Sequence, residues 1–364
     1  MKFTDTLFVA GHRGLAGSAI VRQLRDRGFN NIVTADRKTL DLRDASATDR
    51  FFAGNQPDAV FLAAATVGGI GANSSRPADF ILDNLQIEMN VMRSAHRHGV
   101  RQLVFLGSTC IYPRDCPQPI REEYFLTGPL EPTNSAYAIA KIAGIEMCRS
   151  FNLQYGTDFR CVMPTNLYGP GDNYDLEGSH VLAALVRKFA EAVDRSLDEV
   201  VVWGSGRPTR DFLHADDAGR GIVQLALAER AAFQCNGYPI LNIGSGKEIS
   251  IADLAALIAV QSGFTGRVRF DPSKPDGTPR KVTDITQALA LGWHPTILLE
   301  EGIEEALREV RSRFCPQYLN ANTTGIEVKP ARDERAAPAG VDLLDAAPTP
   351  PGSGLAATSA RTSQ

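Results

Sequence analysis

No apolar run in this chain approaches the length needed to cross a bilayer, so no helical membrane span is expected. Positive charge is not in excess either. With 38 Lys and Arg against 42 Asp and Glu, the net charge is −4 and the pI near 5.9; no basic stripe emerges, and nucleic acid is not an expected partner. The six cysteines, Cys110, Cys116, Cys148, Cys161, Cys235 and Cys315, lack the paired spacings of a zinc site or a secreted disulfide framework, so no metal is expected. Cys148, Cys161 and Cys235 read as small buried apolar residues, and reduced thiols fit a cytoplasmic protein. The opening MKFTDTLFVAGHRG runs straight into a core strand, which predicts no targeting segment.

What is present is an alternation of buried strands and amphipathic helices. Residues 7 to 10 (LFVA) read as a strand, followed by Gly11, Gly14 and Gly17 in the spacing GxxGxxG and by the helical stretch SAIVRQLRDRG. Further strands at about 32–36, 59–64, 103–107 and 159–163 predict an α/β fold: a Rossmann-type doubly wound parallel sheet. A smaller α/β unit starts near Gly169, with a helix beginning near Ser179, the strand VVVW ending at Trp203, the helix IADLAALIAVQSG and the strand RVRF. At 364 residues and 43% hydrophobic content, the chain can bury two cores. From residue 321 the composition turns to Ala, Pro, Gly, Thr and Ser, which predicts a disordered tail over 321–364. His96 and His98, before Gly99 near a helix C-terminus, read as structural.

The glycine turn lets backbone approach a pyrophosphate at a helix N-terminus, the signature of a dinucleotide site. Which dinucleotide depends on the end of the second strand. Asp36 there suits a ribose hydroxyl and repels a 2′-phosphate, whereas Arg37 and Arg13 can clamp that phosphate; the two arginines favour NADP(H).

Chemistry gathers after the run LVFLG. Ser108 and Cys110 follow it, and Tyr137 and Lys141 stand in the spacing YxxxK, on one face of a helix. An ammonium beside a phenol is expected to lower the phenol's pKa; reaching neutrality from about 10 takes roughly 3 units, or about 4 kcal/mol, which one well-placed cation plus a positively charged nicotinamide can supply. Ser108 then shares the charge developing on the same substrate oxygen.

The segments GHRGLAGSAI, AAATVGGI, LGSTCIYP, EPTNSAYAIAKIAGIEMC, MPTNLYGPGDNY, VVWGSGRPTRDFLHADD and SKPDGTPRK resemble the extended short-chain dehydrogenase/reductase family, in its branch acting on GDP-bound 4-keto-6-deoxy sugars. The resemblance covers roughly residues 5 to 315. It implies NADPH-dependent 3,5-epimerisation and 4-reduction of GDP-4-dehydro-6-deoxy-D-mannose to GDP-L-fucose. By the same resemblance Ser108, Tyr137 and Lys141 serve reduction, and Cys110 and His180 serve epimerisation. The cofactor is implied to meet Gly11, His12, Arg13, Gly14, Leu15, Ala16 and Gly17, then Arg37, Asp41 and Leu42. It further meets Leu106, Gly107, Ser108 and Thr109, Lys141, Pro164, Thr165, Asn166 and Leu167, and His180. The GDP-sugar is implied to meet Lys188, Trp203, Arg210 and Asp276. Departures are Asp36, where the family can carry a neutral or basic residue, and Lys188, where an arginine is expected. The resemblance also implies a homodimer, and interleaved domains: a nucleotide domain of residues 1–168 joined by about 212–240, and a sugar-nucleotide domain of 169–211 and 241–320.

A C4 ketone acidifies the hydrogens on C3 and C5, and inversion needs proton donors and acceptors on both faces, which Cys110 and His180 can supply with ordinary pKa values of about 8.5 and 6.5. Lys188, Arg210, Lys274, Arg280 and Lys281 offer cations to a diphosphate, and Trp203 a flat face to a sugar or base. Competing readings are a 4-epimerase, a 4,6-dehydratase or a plain 4-ketoreductase on the same scaffold, and a non-catalytic NADP-binding regulator. A dehydratase is expected to carry an acidic residue beside the serine, where this chain has Thr109 and Cys110.

Overall fold

A computed structural model describes residues 1–316 except Glu177; the predicted tail lies outside the described residues. The nucleotide half begins β1 (Leu7–Ala10), α1 (Leu15–Asp26), β2 (Ile32–Val33), α2 (Ala45–Asn55), β3 (Ala59–Leu62), α3 (Ile70–Ser75), α4 (Pro77–Arg97), β4 (Gln102–Leu106), α5 (Ser135–Tyr155) and β5 (Asp158–Pro164). There follow β6 (Asn166–Tyr168), α6 (Val181–Asp194), β7 (Glu199–Trp203), β8 (Thr209–Arg210), β9 (Phe212–His214) and α7 (Ala215–Leu227). The described residues close with β10 (Ile240–Ile243), β11 (Ile249–Ser250), α8 (Ile251–Ser262), β12 (Arg267–Asp271), β13 (Arg280–Lys281), α9 (Thr286–Ala290) and α10 (Leu299–Phe314).

Six of these strands form one parallel sheet in the order β10-β5-β4-β3-β1-β2. LFVA, AVFL and QLVFL are apolar almost throughout because helices cover both faces. Alternation divides them between two cores: Phe8, Val60, Leu62, Leu103 and Phe105 on one side, Leu7, Val9, Phe61, Val104 and Leu106 on the other. From β1 the chain first steps outward to β2, then crosses to β3 and proceeds the other way. That reversal makes a crevice beyond the carboxyl ends of β1 and β3, where doubly wound sheets bind ligands.

The second strand is shorter than the expected 32–36. Asp36 leaves the ladder because its Oδ1 accepts from the amides of Lys38 and Thr39, both at 3.0 Å, turning the chain. After β9 the chain returns to the sheet: α7 packs on α1, and β10 pairs with β5 over Ile240–Ile243, past the boundary drawn at 240. Trp293 also returns, fully buried in the second core with Nε1 donating to the Asp217 carbonyl at 3.2 Å.

The smaller half packs α6, α8 and α10 around a third core with the parallel pair β7–β12. A three-stranded sheet, β11-β8-β13, lies between the halves, and its parallel register sets Lys281 opposite Arg210. His96 stacks on Tyr155 with ring centroids 4.0 Å apart, and His98 Nε2 lies 3.1 Å from Asp49 Oδ1.

Candidate active site

The carboxyl ends of the sheet open into a cleft of about 780 Å3, a volume suited to a dinucleotide. Gly11 turns with φ +86°, and a Cβ there would approach Ala64 N to 2.7 Å; at Gly17 a Cβ would collide with the Gly11 carbonyl. These contacts bring the N-terminus of α1 against the cleft, where its unpaired amides and partial positive charge favour an anion. Two buried polar atoms on cleft residues, His12 Nδ1 and Ser179 Oγ, have no protein partner. Such atoms call for ligand or water, so the cleft fits a dinucleotide by volume, by backbone and by unmet polar groups. Every residue assigned to the cofactor from the sequence lines it: 11–17, Arg37, Asp41, Leu42, 106–109, Lys141, 164–167 and His180.

Asp36 and one of the two arginines meet each other locally. Asp36 Oδ2 lies 3.0 Å from Arg13, while its other oxygen holds the Lys38 and Thr39 amides. These hydrogen bonds, the Thr39 amide foremost, keep the Asp36 carboxyl below the usual range. Its charge is thus met within the protein, and Arg37 keeps an exposed guanidinium at the cleft. Asp41 is gripped by Arg43, which lowers it to about 2, and Arg43 also reaches Asp83 at 3.0 Å.

Ser108 caps a short 3-10 turn after β4, its Oγ accepting from the Cys110 amide at 3.3 Å, so its own O–H is left for the cleft. Tyr137 and Lys141 come from one face of α5 and line the same cleft. The protein's own groups, without the nicotinamide cation, do not lower the phenol. Burial pushes Tyr137 well above its ordinary value, and Cys110 and Glu88 add to that rise. Glu88, on α4, is the smallest of these influences; its Oε1 lies 3.2 Å from Lys141 Nζ, and the ammonium sits 4.5 Å over the Phe105 ring and 5.8 Å from the Tyr137 ring centre.

Cys110 lies behind Thr109 in a side cavity of about 20 Å3 that it shares with Lys281, Gln118 and Glu131. Burial pushes its thiol up, and the Lys281 charge is the largest opposing influence. His180, at the N-cap of α6, is held below its ordinary value by desolvation and by Lys281. The cation beside Cys110 is therefore Lys281, which the sequence suggested for a diphosphate. Arg280, from the same expected group, is engaged by Glu248 with Nη2 to Oε1 at 2.6 Å.

The four residues assigned to the sugar nucleotide line neither cavity and lie in neighbouring contacts of their own. Lys188 Nζ donates to the Val201 carbonyl at 3.0 Å and lies 5.1 Å from the Trp203 ring centre. Asp276 accepts from the Ser205 amide and hydroxyl, both at 2.7 Å, and its carbonyl accepts from Arg210 at 3.3 Å. Burial lowers both Lys188 and Arg210. Among the described residues no cluster of His, Cys, Asp and Glu could hold a metal ion, and no helix is long and apolar enough to cross a membrane.

Glu88 was missed from the sequence although a signal existed: it falls on the face of α4 that buries Phe80, Asn84, Ile87 and Val91. The place of Lys281 had no local signal, because it follows from the pairing of β13 with β8.

The profile of the NAD dependent epimerase/dehydratase family matches residues 7–244. A putative GDP-L-fucose synthase 2 of Arabidopsis thaliana is 54% identical over 299 residues, covering 82% of this chain and 89% of that protein. A GDP-L-fucose synthase of Escherichia coli (strain K12) is 51% identical over 300 residues, covering 82% and 94%. Among solved structures, a GDP-mannoheptose C4 reductase from Campylobacter jejuni with NADP bound aligns with TM-score 0.77 at 35% identity, over 86% of this chain and 99% of that one.

Proposed function

Because the chain belongs to the NAD dependent epimerase/dehydratase family, we propose that it converts GDP-4-dehydro-6-deoxy-D-mannose to GDP-L-fucose, epimerising C3 and C5 and reducing C4 with NADPH. The observation that carries this reading is the meeting of two sets of groups: Ser108, Tyr137 and Lys141 in the cleft, and Cys110 immediately behind Thr109 with His180 at the cleft's edge. A plain reductase has no use for the second set.

Ser108 and Tyr137 donate to the C4 oxygen, polarising the ketone and holding the charge of the enolate formed when C3 or C5 loses its proton. Cys110 removes protons, its thiolate favoured by Lys281, and His180 returns them from the opposite side, drawing on the solvent to which it is open. When bound, the dinucleotide supplies the hydride that reduces C4. Tyr137 gives its phenolic proton to the alkoxide, and Lys141 holds the ribose and the tyrosine's surroundings. Arg37 meets the 2′-phosphate, and Lys188, Trp203, Arg210 and Asp276 meet the GDP-sugar.

The same reading makes the protein a homodimer, supported by an apolar surface shared by two neighbouring helices: Leu82 and Met89 on α4, and Ile139, Leu153 and Tyr155 on α5, each 47% to 71% exposed. It places the protein in the cytoplasm, in keeping with six free cysteines. The likeness to a C4 reductase favours a second reading, reduction without epimerisation. Incubation with NADPH and GDP-4-dehydro-6-deoxy-D-mannose decides: GDP-L-fucose supports the bifunctional reading, a product unchanged at C3 and C5 supports the reductase, and no oxidation of NADPH overturns both.

A further inference from the structure

The inner face of α4 is apolar except for Asn84, Glu88, Asn90 and Ser94, and Glu88 is the one with a formal charge; it is 0% exposed. Neither carboxylate oxygen receives a hydrogen bond of ordinary geometry. The contact that meets its charge is the ion pair with Lys141, itself 2% exposed. Room for the carboxylate is made on α5, where a Cβ at Gly144, one turn beyond Lys141, would lie 2.8 Å from Glu88 Oε2. Two charges taken from water at this depth cost several kcal/mol each, and an apolar pair of like volume generally serves stability as well or better. Stability alone is therefore a poor account of Glu88.

The groups facing Glu88 are few. Lys141 and Tyr137 come from α5, Cys161 from β5, and β4 contributes the ring of Phe105; Lys141 is the cation among them. Burial raises the Glu88 carboxyl to about 7 against the opposing pull of Lys141. A ketone reductase needs its tyrosine protonated, since the phenol is the donor, whereas an alcohol dehydrogenase needs the phenolate as base. An uncompensated ammonium beside Tyr137 would favour the phenolate.

We propose that Glu88 is a positioning residue for the reduction: it anchors Lys141 and offsets the ammonium's charge at Tyr137, keeping the phenol in its proton-donating form. The proposal rests on the roles of Tyr137 and Lys141 given above. It assigns to a residue outside the substrate's reach the bias of the site toward reduction.

The test is the pH profile of kcat/KM for ketone reduction, from pH 6 upward until the alkaline limb is passed, in wild type, Glu88→Asp and Glu88→Gln, with melting temperature and NADPH Kd measured alongside. In E88Q the alkaline limb is expected about one pH unit below that of wild type, a loss of up to about ten-fold at pH values above both limbs, with reduction at pH 6.5 and NADPH Kd within about three-fold of wild type. E88D keeps the charge one methylene farther off, and its limb should fall between the two. A limb that stays put in folded E88Q, even with lower rates throughout, overturns the proposal and leaves Glu88 a packing residue. Should E88Q not fold, E88D alone decides, an unmoved limb overturning the proposal. Tyr137→Phe separates the premises: if it reduces at the wild-type rate, the catalytic reading has failed; if it is inactive while the limb in E88Q is unmoved, only the role of Glu88 has.

Discussion

The proposed nucleotide side of the cleft is delivered by one continuous turn, Gly11 to Gly17, while the groups proposed for epimerisation come from three places: His180 on the cleft at the start of α6, and Cys110 after β4 with Lys281 of β13 in the side cavity. Backbone does most of the work on the first side: left-handed glycine, helix amides and close approach, with several groups sharing one large ligand. The second side depends on single side chains, each set by a different pairing of distant elements. Damage to the first should therefore be graded and damage to the second severe, with Ser108 and Tyr137 as the groups that serve both.

The largest effect tests that shared pair. Tyr137→Phe should lower ketone reduction about a thousand-fold and also slow deuterium exchange at C3 and C5 of the ketosugar in deuterated water without NADPH, because the C4 oxygen loses a donor in both reactions. Exchange at the wild-type rate would mean that the two sides work independently.

Cys110→Ser comes next. Serine is nearly the same size and a far weaker base, so exchange at one or both carbons should fall about a hundred-fold while NADPH Kd is unchanged. NMR of the ketosugar at saturating concentration reads this; undiminished exchange would return Cys110 to a packing role.

A smaller effect is expected for Lys281→Met, and it carries a sign. Lys281 lowers the Cys110 thiol, so its removal raises that pKa, and the thiolate-dependent limb of exchange should move to higher pH. Near pH 7 exchange should fall about ten-fold and recover toward alkaline pH, since a neighbouring charge shifts a pKa by roughly 1 to 3 units. A uniform loss at all pH values would mean that Lys281 holds the substrate instead.

Arg37→Ala should do least. The guanidinium is exposed and several groups share the nucleotide, so kcat/KM for NADPH should drop about five-fold and that for NADH hardly change. Equal losses with both cofactors would place Arg37 on the shared part of the dinucleotide.

The sheet was readable because parallel strands covered on both faces are short apolar runs, and the runs at 59, 103 and 159 become β3, β4 and β5 within a residue or two of the expected starts. The second strand was read too long because Asp36, which looked like a ligand for ribose, turns the chain with its own carboxylate.

For this protein the sequence by itself determined whatever depends on neighbours along the chain. The glycine turn, the Ser108 cap and the i, i+4 placement of Tyr137 and Lys141 follow from local backbone geometry, which a few residues specify. The charges those residues feel were decided by tertiary structure. Glu88 lies 53 positions before Lys141, and Lys281 meets Cys110 only through the register of β13 on β8. Electrostatic interaction acts through space, and burial strengthens it, so the pKa order of the site is a property of packing that no spacing in the chain records.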